Sequence, residues 1–534
     1  MKMKKYALLP LTMALVLVLG MHIGIKINDI NPEHSKLLFF SSQQTSKINQ
    51  TLNIIKKSYV DSISINMLEE EAIRGMLRQL DPHSQYIPAS NLAAVNEPLV
   101  GNFSGIGVRF DMFNDTVVII NTIADGPSEA AGLISGDRIV KVNDTIVAGV
   151  SMASDDIVDM LKGITGTQVK VSIHRRGNSE LLDFNITRDR IPVFSIRAAY
   201  MITPEIGYIK VERFSRTTFQ EFSDAVLRLK NEGMTHIMLD LRENPGGIID
   251  GAIRMSEMFL PEGALIVYTQ GRERERKNYY SKGDTSLNDM NIVVLINQVS
   301  ASASEIVAGA IQDNDRGIIM GRRSFGKGLV QEQYVLNDGA AIRLTVARYH
   351  TPTGRSIQKP YDSNDRSGYF NEVRGRFAQG EMTQADSMRF NDSLRYVTPA
   401  GRVVYGGGGI IPDIFVPLDT TFISNYYRAT TRLVYRFAFD YTDRNRSELT
   451  KIQDYTALQT FLKQKNILEE FVNHAARQGI ARNENELRIS GPMIENVLMA
   501  HVSRNIFDDT GYYQVINQKD IMIQKAIEEL SISN

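Results

Sequence analysis

The chain has 534 residues, 43% of them hydrophobic and 23% charged, with a formal net charge of −1 and no cysteine. That length exceeds a single core and predicts about three or four domains, since domains usually run ~100–200 residues. The even charge balance excludes a general nucleic-acid binder. The lack of cysteine excludes disulfides, thiolate metal sites and a cysteine nucleophile.

At the amino terminus Lys2, Lys4 and Lys5 precede an apolar run from Tyr6 to Ile25. A basic flank followed by about 20 apolar residues is the pattern of an export signal or a membrane anchor. No small-x-small cleavage site follows, so residues 1–25 read as an anchor before a cleaved signal. The lysines stay cytoplasmic and the bulk crosses. The expected location is the periplasmic side of an inner membrane, or export by a cleaved signal. Residues 26–45 read as a polar linker. Over residues 46–100 Leu52, Ile55 and Tyr59, then Leu68, Ile73, Met76, Leu77 and Leu80, recur at helical steps until Asp81-Pro82.

Residues 101–190 change to short β-type runs at Gly107–Phe110, Val117–Asn121, Arg138–Val142 and Val169–Ile173, with a helix near Ser154–Lys162. Residues 191–420 alternate strands and helices. Thr217–Glu232 is a predicted helix opened by a Thr217/Gln220 capping box and closed by Gly233. Thr235–Leu241 and Ile292–Ile296 are the near-continuous apolar strands expected where helices cover both sheet faces. Residues 361–400 read as a polar excursion. Residues 421–534 read as a helical extension in which Leu458, Phe461, Leu462, Leu468, Phe471 and Val472 form one stripe, with Gly479 and Gly491 as breaks.

The chemistry concentrates between residues 292 and 331. Ser302 follows a strand and opens a helix, beside free N–H groups that can hold an oxyanion and in the favourable field of the helix dipole. A bland alternative is that Ser300, Ser302 and Ser304 only cap that helix. Serine needs a base, and Lys327, set between Gly326 and Gly328, can serve if burial lowers its pKa. By strand alternation Lys327, Leu329 and Gln331 share one face, so Gln331 can hold the amine. The stretch Gly321–Gly328 nearly matches a phosphate-binding loop, but Gly328 stands where Ser or Thr is needed, and a strand rather than a helix follows. Leu239–Gly247 lies at the carboxyl end of a buried strand, where α/β folds place their sites, and its Gly246-Gly247 pair can present a second oxyanion N–H. None of His34, His83, His174, His236, His350, His474 or His501 sits in a triad motif, and no spacing suggests a metal site.

Asp81–Ser84, Phe103–Gly107, Leu241–Gly247, Ser300–Glu305, Ser324–Gln331 and Gly407–Asp413 occur in an order that resembles the carboxyl-terminal processing, or tail-specific, proteases of serine peptidase family S41, over about residues 46–415. The 25-residue interval between Ser302 and Lys327 is also similar. The resemblance implies an α/β multidomain protein: a helical amino-terminal region, a PDZ β domain, an α/β (crotonase-like) protease core and a helical carboxyl-terminal extension. It makes Ser302 the nucleophile, Lys327 the general base and Gln331 its orienting partner. The oxyanion hole would be Ala303 N–H with that of Gly246 or Gly247. Phe103, Ser104, Gly105, Ile106 and Gly107 would bind the carboxylate of a protein tail, which adds as a strand to a sheet edge.

The expected activity is therefore exported serine endopeptidase action on protein carboxyl-terminal tails, with no cofactor. Expected partners are those tails and, through the amino-terminal segment, a membrane, with a homodimer or an adaptor protein as further candidates. The rival readings are a non-catalytic PDZ scaffold that keeps the protease fold, and a different acyl hydrolase on the same core.

Overall fold

The computed structural model describes residues 12–22, 46–284, 286–362, 365–388 and 390–532, in two units, residues 1–73 and 74–534. In the first unit α1 covers residues 12–22, and α2 (Lys47–Ser58) starts where the Ser46 hydroxyl accepts the Ile48 N–H at 3.2 Å. Among the described residues no helix is long and apolar enough to cross a membrane. The lysine cluster, the ends of the predicted anchor, the 26–45 linker and His34 lie outside the described residues. Helix α3 (Ile65–Arg78) is separate from α2, so the single helical pattern expected up to Asp81 is broken at residues 59–64. Asp and Ser there favour local side chain–backbone bonds over helix: the Ser64 hydroxyl accepts Met67 N–H at 3.4 Å.

The second unit continues with β1 (Gln85–Ile87) and α4 (Ala89–Val100), then the small β domain: β2 (Asn102–Gly105), β3 (Val108–Met112), β4 (Val117–Thr122), α5 (Pro127–Ala131), β5 (Arg138–Val142), β6 (Thr145–Ile146), α6 (Ser154–Leu161), β7 (Gln168–His174), β8 (Leu182–Thr187) and β9 (Asp189–Pro192). Its main sheet runs β3-β4-β5-β7-β8, and β2 pairs separately with β9. Alternation puts Val117 and Ile119 into the domain core with Ile139, Val171, Ile173, Ile157 and Leu161.

The α/β core comprises β10 (Ile196–Met201), β11 (Ile206–Val211), α7 (Thr218–Asn231), β12 (His236–Asp240), α8 (Ile249–Glu257), β13 (Leu265–Gln270), β14 (Lys277–Tyr280), β15 (Asn291–Ile296), α9 (Ala303–Asp313), β16 (Ile318–Gly321), β17 (Leu329–Val335), β18 (Ala341–His350), α10 (Arg366–Ala378), β19 (Arg395–Val397), β20 (Val403–Tyr405) and β21 (Ile414–Phe415). The central sheet is ordered β10-β11-β12-β15-β16-β21 and is parallel from β11 onward. One face, with Ile237, Leu239, Ile292, Val294 and Ile296, packs on α7, α8 and α9. A second sheet runs β1-β18-β13-β14, with β17 on β18. Thr217 stands at the start of α7, but its hydroxyl goes to Glu221 at 2.6 Å, while Gln220 bonds Asp224. The expected capping box is therefore not made. Thr217 is already in a helical conformation, φ −91° and ψ −11°, and the box needs an extended cap residue.

The extension folds as α11 (Asn425–Leu449), α12 (Tyr455–Gln464), α13 (Ile467–Arg477), α14 (Glu484–Ile516) and α15 (Ile521–Ile532). The predicted stripe is split between α12 and α13 at Asn466, whose φ is 54°. Gly479 does follow a helix end, but Gly491 is buried inside α14, where packing beside Leu468 holds it. The break in α14 lies instead at Phe507-Asp508. Two packing tasks fall to this region. Met522, Ile523, Ala526 and Leu530 of α15 cover the other face of the central sheet, on Tyr208, Met238, Val293 and Leu295. Phe439 of α11 covers Val118 and Ile120 of the β domain and stacks on Phe113 at 5.1 Å. Asp443 pairs with Arg138 at 3.1 Å, and Asp509 with Arg197 and Arg109 at 3.1 and 3.5 Å.

Candidate active site

Ser302, Ala303, Gly246, Gly247, Lys327 and Gln331 all line one cavity of about 740 Å³. Phe103–Gly107 is not part of it. Phe103, Ser104 and Gly105 lie in β2, paired with β9, and only Ile106 and Gly107 form the turn into β3.

Ser302 is the residue before α9, with φ 56° and ψ −115°. A left-handed conformation at a side-chain-bearing residue costs roughly 1–3 kcal/mol and persists only where surrounding contacts impose it. Those contacts are visible on both sides. Ala301 N–H donates to Asn244 O at 3.0 Å, and the Ser304 hydroxyl donates to the same carbonyl at 3.0 Å. The Ser300 hydroxyl donates to Leu241 O at 2.8 Å. The flanking serines are thus spent on the loop after β12, and only Ser302 stands at the cap of α9, in a capping-box arrangement with Glu305. Ser300 and Ser304 therefore do not cap the helix.

Glu305 joins the two chemical halves. Its carboxylate, fully buried, accepts the N–H groups of Ser302 (2.8 Å), Gly326 (2.8 Å) and Lys327 (2.9 Å) and the Ser324 hydroxyl (2.5 Å). One side chain therefore sets the backbone of the serine turn against that of the lysine turn. Burial pushes its pKa up, opposed by the hydrogen bonds it accepts from Ser324, Lys327, Ser302 and Gly326. From the other side Arg376 of α10, itself buried, donates to Ser324 O at 2.7 Å and Phe325 O at 3.2 Å. The stretch expected as a polar excursion is thus in part a buttress for the lysine turn. Its polarity misled because Arg376 is buried by the bonds it makes.

Lys327 Nζ donates to Gln331 Oε1 at 3.0 Å, and Gln331 Nε2 donates to His83 O at 2.8 Å. The amide is oriented from both ends, so its acceptor faces the amine. The predicted Lys327–Gln331 pair forms although the β17–β18 register shifts between Val330 and Gln331. The Lys327 pKa is lowered, by burial first and then by the nearby Arg343 cation, with Asp81 and Glu305 opposing. The buried Tyr349 hydroxyl donates to Lys327 O and interacts with the Ser302 side chain. His83 is no rival base: its ring faces Tyr369 (Nε2 to the hydroxyl, 3.0 Å), and burial followed by Lys327 lowers its pKa to about 3.

The two loop glycines have different duties. Gly246 N–H is taken by Asn244 Oδ1 at 2.8 Å, whereas Gly247 N–H and Ala303 N–H have no hydrogen-bond partner among the described residues. Both glycines are required for close approach. A Cβ at Gly246 (φ 94°) would sit 2.6 Å from Ser302 Cβ, and one at Gly247 (φ 145°) 1.9 Å from Phe214 O. Asn297 braces the loop, accepting Glu243 N–H at 3.1 Å. Glu305 and Asn244 escaped the sequence reading of roles. A local signal existed for the first, since Ser302 and Glu305 have capping-box spacing.

Glu305→Gln is expected to lose about 2–4 kcal/mol of stability, because a carboxamide turns an N–H donor toward groups that are themselves donors. Any hydrolytic activity of the cavity should fall more than 100-fold in molecules that remain folded. Chemical denaturation and an assay on the folded fraction measure both; wild-type behaviour in each would remove Glu305 from this bracing role.

Family models match this chain at residues 205–364 (peptidase family S41), 104–187 (PDZ domain), 24–90 (activating protease CtpB N-terminal domain) and 426–508 (DUF8443, a family of unknown function). A carboxy-terminal-processing protease of Bartonella bacilliformis is 37% identical over 324 residues, covering 59% of this chain and 73% of that protein. A probable CtpA-like serine protease of Staphylococcus aureus is 32% identical over 349 residues, covering 65% and 68%. Among solved structures, a photosystem II D1 C-terminal processing protease aligns at 30% identity with a TM-score of 0.34, covering 58% of this chain and 89% of that one. The PDZ domain of a carboxy-terminal protease from Vibrio cholerae, in complex with peptide, aligns at 31% identity with a TM-score of 0.16, covering 17% and 97%. With its PDZ domain, its peptidase module and a 37% identical carboxy-terminal-processing protease covered over 73% of its length, the chain belongs to the carboxyl-terminal processing proteases of serine peptidase family S41.

Proposed function

We propose that this protein is a Ser–Lys endopeptidase acting on protein tails, held on the periplasmic side of an inner membrane by its amino-terminal segment. The reading rests above all on Ser302 and Lys327 sharing one cavity while a single buried carboxylate, Glu305, holds both of their N–H groups. Neutral Lys327 takes the Ser302 proton as Oγ attacks the peptide carbonyl. The oxyanion is received by Ala303 and Gly247 N–H. Lys327 then protonates the departing amine, and a water it activates hydrolyses the acyl-enzyme. Tail capture draws support from the PDZ domain. Strand β3 is an edge of its sheet, the position at which a further strand would add. The Ile106 and Gly107 N–H groups that would meet the terminal carboxylate are unbonded among the described residues.

The test is cleavage of an unfolded protein by the full chain, with the substrate's carboxyl terminus either free or amidated. Cleavage of both is expected, with affinity for the amidated form reduced about tenfold or more. Equal affinity would remove the PDZ assignment; no cleavage of either at pH 7–9 would remove the peptidase reading.

A further inference from the structure

Two arginines line the catalytic cavity, and they are differently provided for. Arg343 gives Nη2 to Asn96 Oδ1 (3.2 Å) and Gln333 Oε1 (3.0 Å), and its charge lowers the Lys327 pKa. Among the described residues Arg213 has no such partners. Its Nε is buried with no hydrogen bond, and its nearest carboxylate oxygen, on Glu212, is 3.6 Å from Nη2. That carboxylate is already taken by Arg197. The Arg213 side chain as a whole is 28% exposed and lines the cavity, and a guanidinium fork is matched by a carboxylate.

Its position is fixed relative to the chemistry. The next residue, Phe214, donates its N–H to Gly246 O at 2.9 Å and accepts Ile248 N–H at 2.8 Å, so its backbone grips the glycine loop on both sides of Gly247. The Arg213 backbone is therefore anchored one residue from the glycine loop, and its side chain lines the same cavity as Gly247.

We infer that Arg213 is a specificity-determining residue that takes a carboxylate of the bound substrate inside the catalytic cavity, an inference that rests on the peptidase reading above. The carboxylate comes either from an acidic side chain flanking the scissile bond or from the terminus of a tail that has entered the cavity. Peptides with Asp or Asn at each position around a cleaved bond, amidated at the carboxyl end, probe the first source. Short peptides with free or amidated ends probe the second.

The readout is the ratio of kcat/KM within each pair, for wild type, Arg213→Gln and Arg213→Glu, each checked for folding by thermal denaturation. One pair should show a preference of about 10–100-fold for the carboxylate in wild type. That ratio should fall to near 1 in Arg213→Gln, and Arg213→Glu should prefer a lysine-bearing peptide. Any effect of amidation that works through the PDZ domain persists in both variants, which separates it from the cavity. A wild-type enzyme that cleaves without preferring a carboxylate anywhere, or a preference unchanged in Arg213→Gln, overturns this inference and leaves the peptidase reading intact. No cleavage by wild type overturns both.

Discussion

Ser302→Ala is expected to lower kcat/KM on an unfolded substrate by about 10⁴-fold or more while leaving tail affinity within about twofold of wild type. The magnitude follows from losing the only nucleophile in a covalent mechanism, with residual activity coming from binding and the oxyanion groups alone. The fold should tolerate the change. The Glu305 and Ser304 N–H groups keep the Ser302 and Ala301 carbonyls as partners at 2.9 and 3.1 Å, so loss of the hydroxyl strands neither. The bonds that hold the turn belong to Glu305, Ser300 and Ser304. Alanine keeps the same unfavourable φ, so strain is neither added nor relieved. In the function proposed above, tail binding falls to residues 103–107, in another domain. Proteolysis assayed beside fluorescence polarisation of a labelled tail peptide tests both halves. Cleavage surviving at the wild-type rate would remove Ser302 from its role, and loss of tail binding would mean that the two sites are not independent.

Lys327→Ala should cost roughly 10³–10⁴-fold, since a general base contributes about 10²–10⁴ and the amine is needed in both half-reactions. The pH dependence is more diagnostic. A lysine acts as base only when neutral, so kcat/KM must rise with pH through its pKa and level off above it. An ordinary lysine, near 10.4, would put that rise above the working range. Burial and the Arg343 charge both disfavour the ammonium and move the rise to lower pH. Arg343→Gln removes one of those two causes and should shift the rise to higher pH without abolishing it. His83 adds no limb at neutral pH, because its pKa is lowered to about 3. A profile flat from pH 5 to 9, or one unmoved by Arg343→Gln, would count against a buried lysine base.

Much of this site could be read from residues alone because its components are local. A serine after an apolar strand, a lysine between two glycines and a glutamine four residues on are near-neighbour patterns, and each element they predict forms. The same holds for the strands of the β domain and for those of the central sheet, whose near-continuous apolar runs reflect the burial of two faces. Features that failed were those whose meaning comes from distant partners. Thr217 has the composition of a capping box but bonds Glu221. Gly491 has the composition of a break but lies inside a helix. Residues 361–400 look solvated, yet Arg376 is buried against the lysine turn.

The sequence by itself determined the family and the order of its modules and singled out Ser302, Lys327 and Gln331 as candidates, because these follow from residue type, spacing and periodicity. Only the tertiary structure decided which glycine keeps a free N–H beside Ser302, since that turns on Asn244 claiming Gly246. It alone revealed that Glu305 spans the serine and lysine turns, that His83 lends its carbonyl rather than its ring, and that the last helices close the sheet and hold the PDZ domain. Each of these is a contact between residues far apart in the chain. A hydrogen bond of that kind depends on angles and distances that folding creates and that no local pattern encodes.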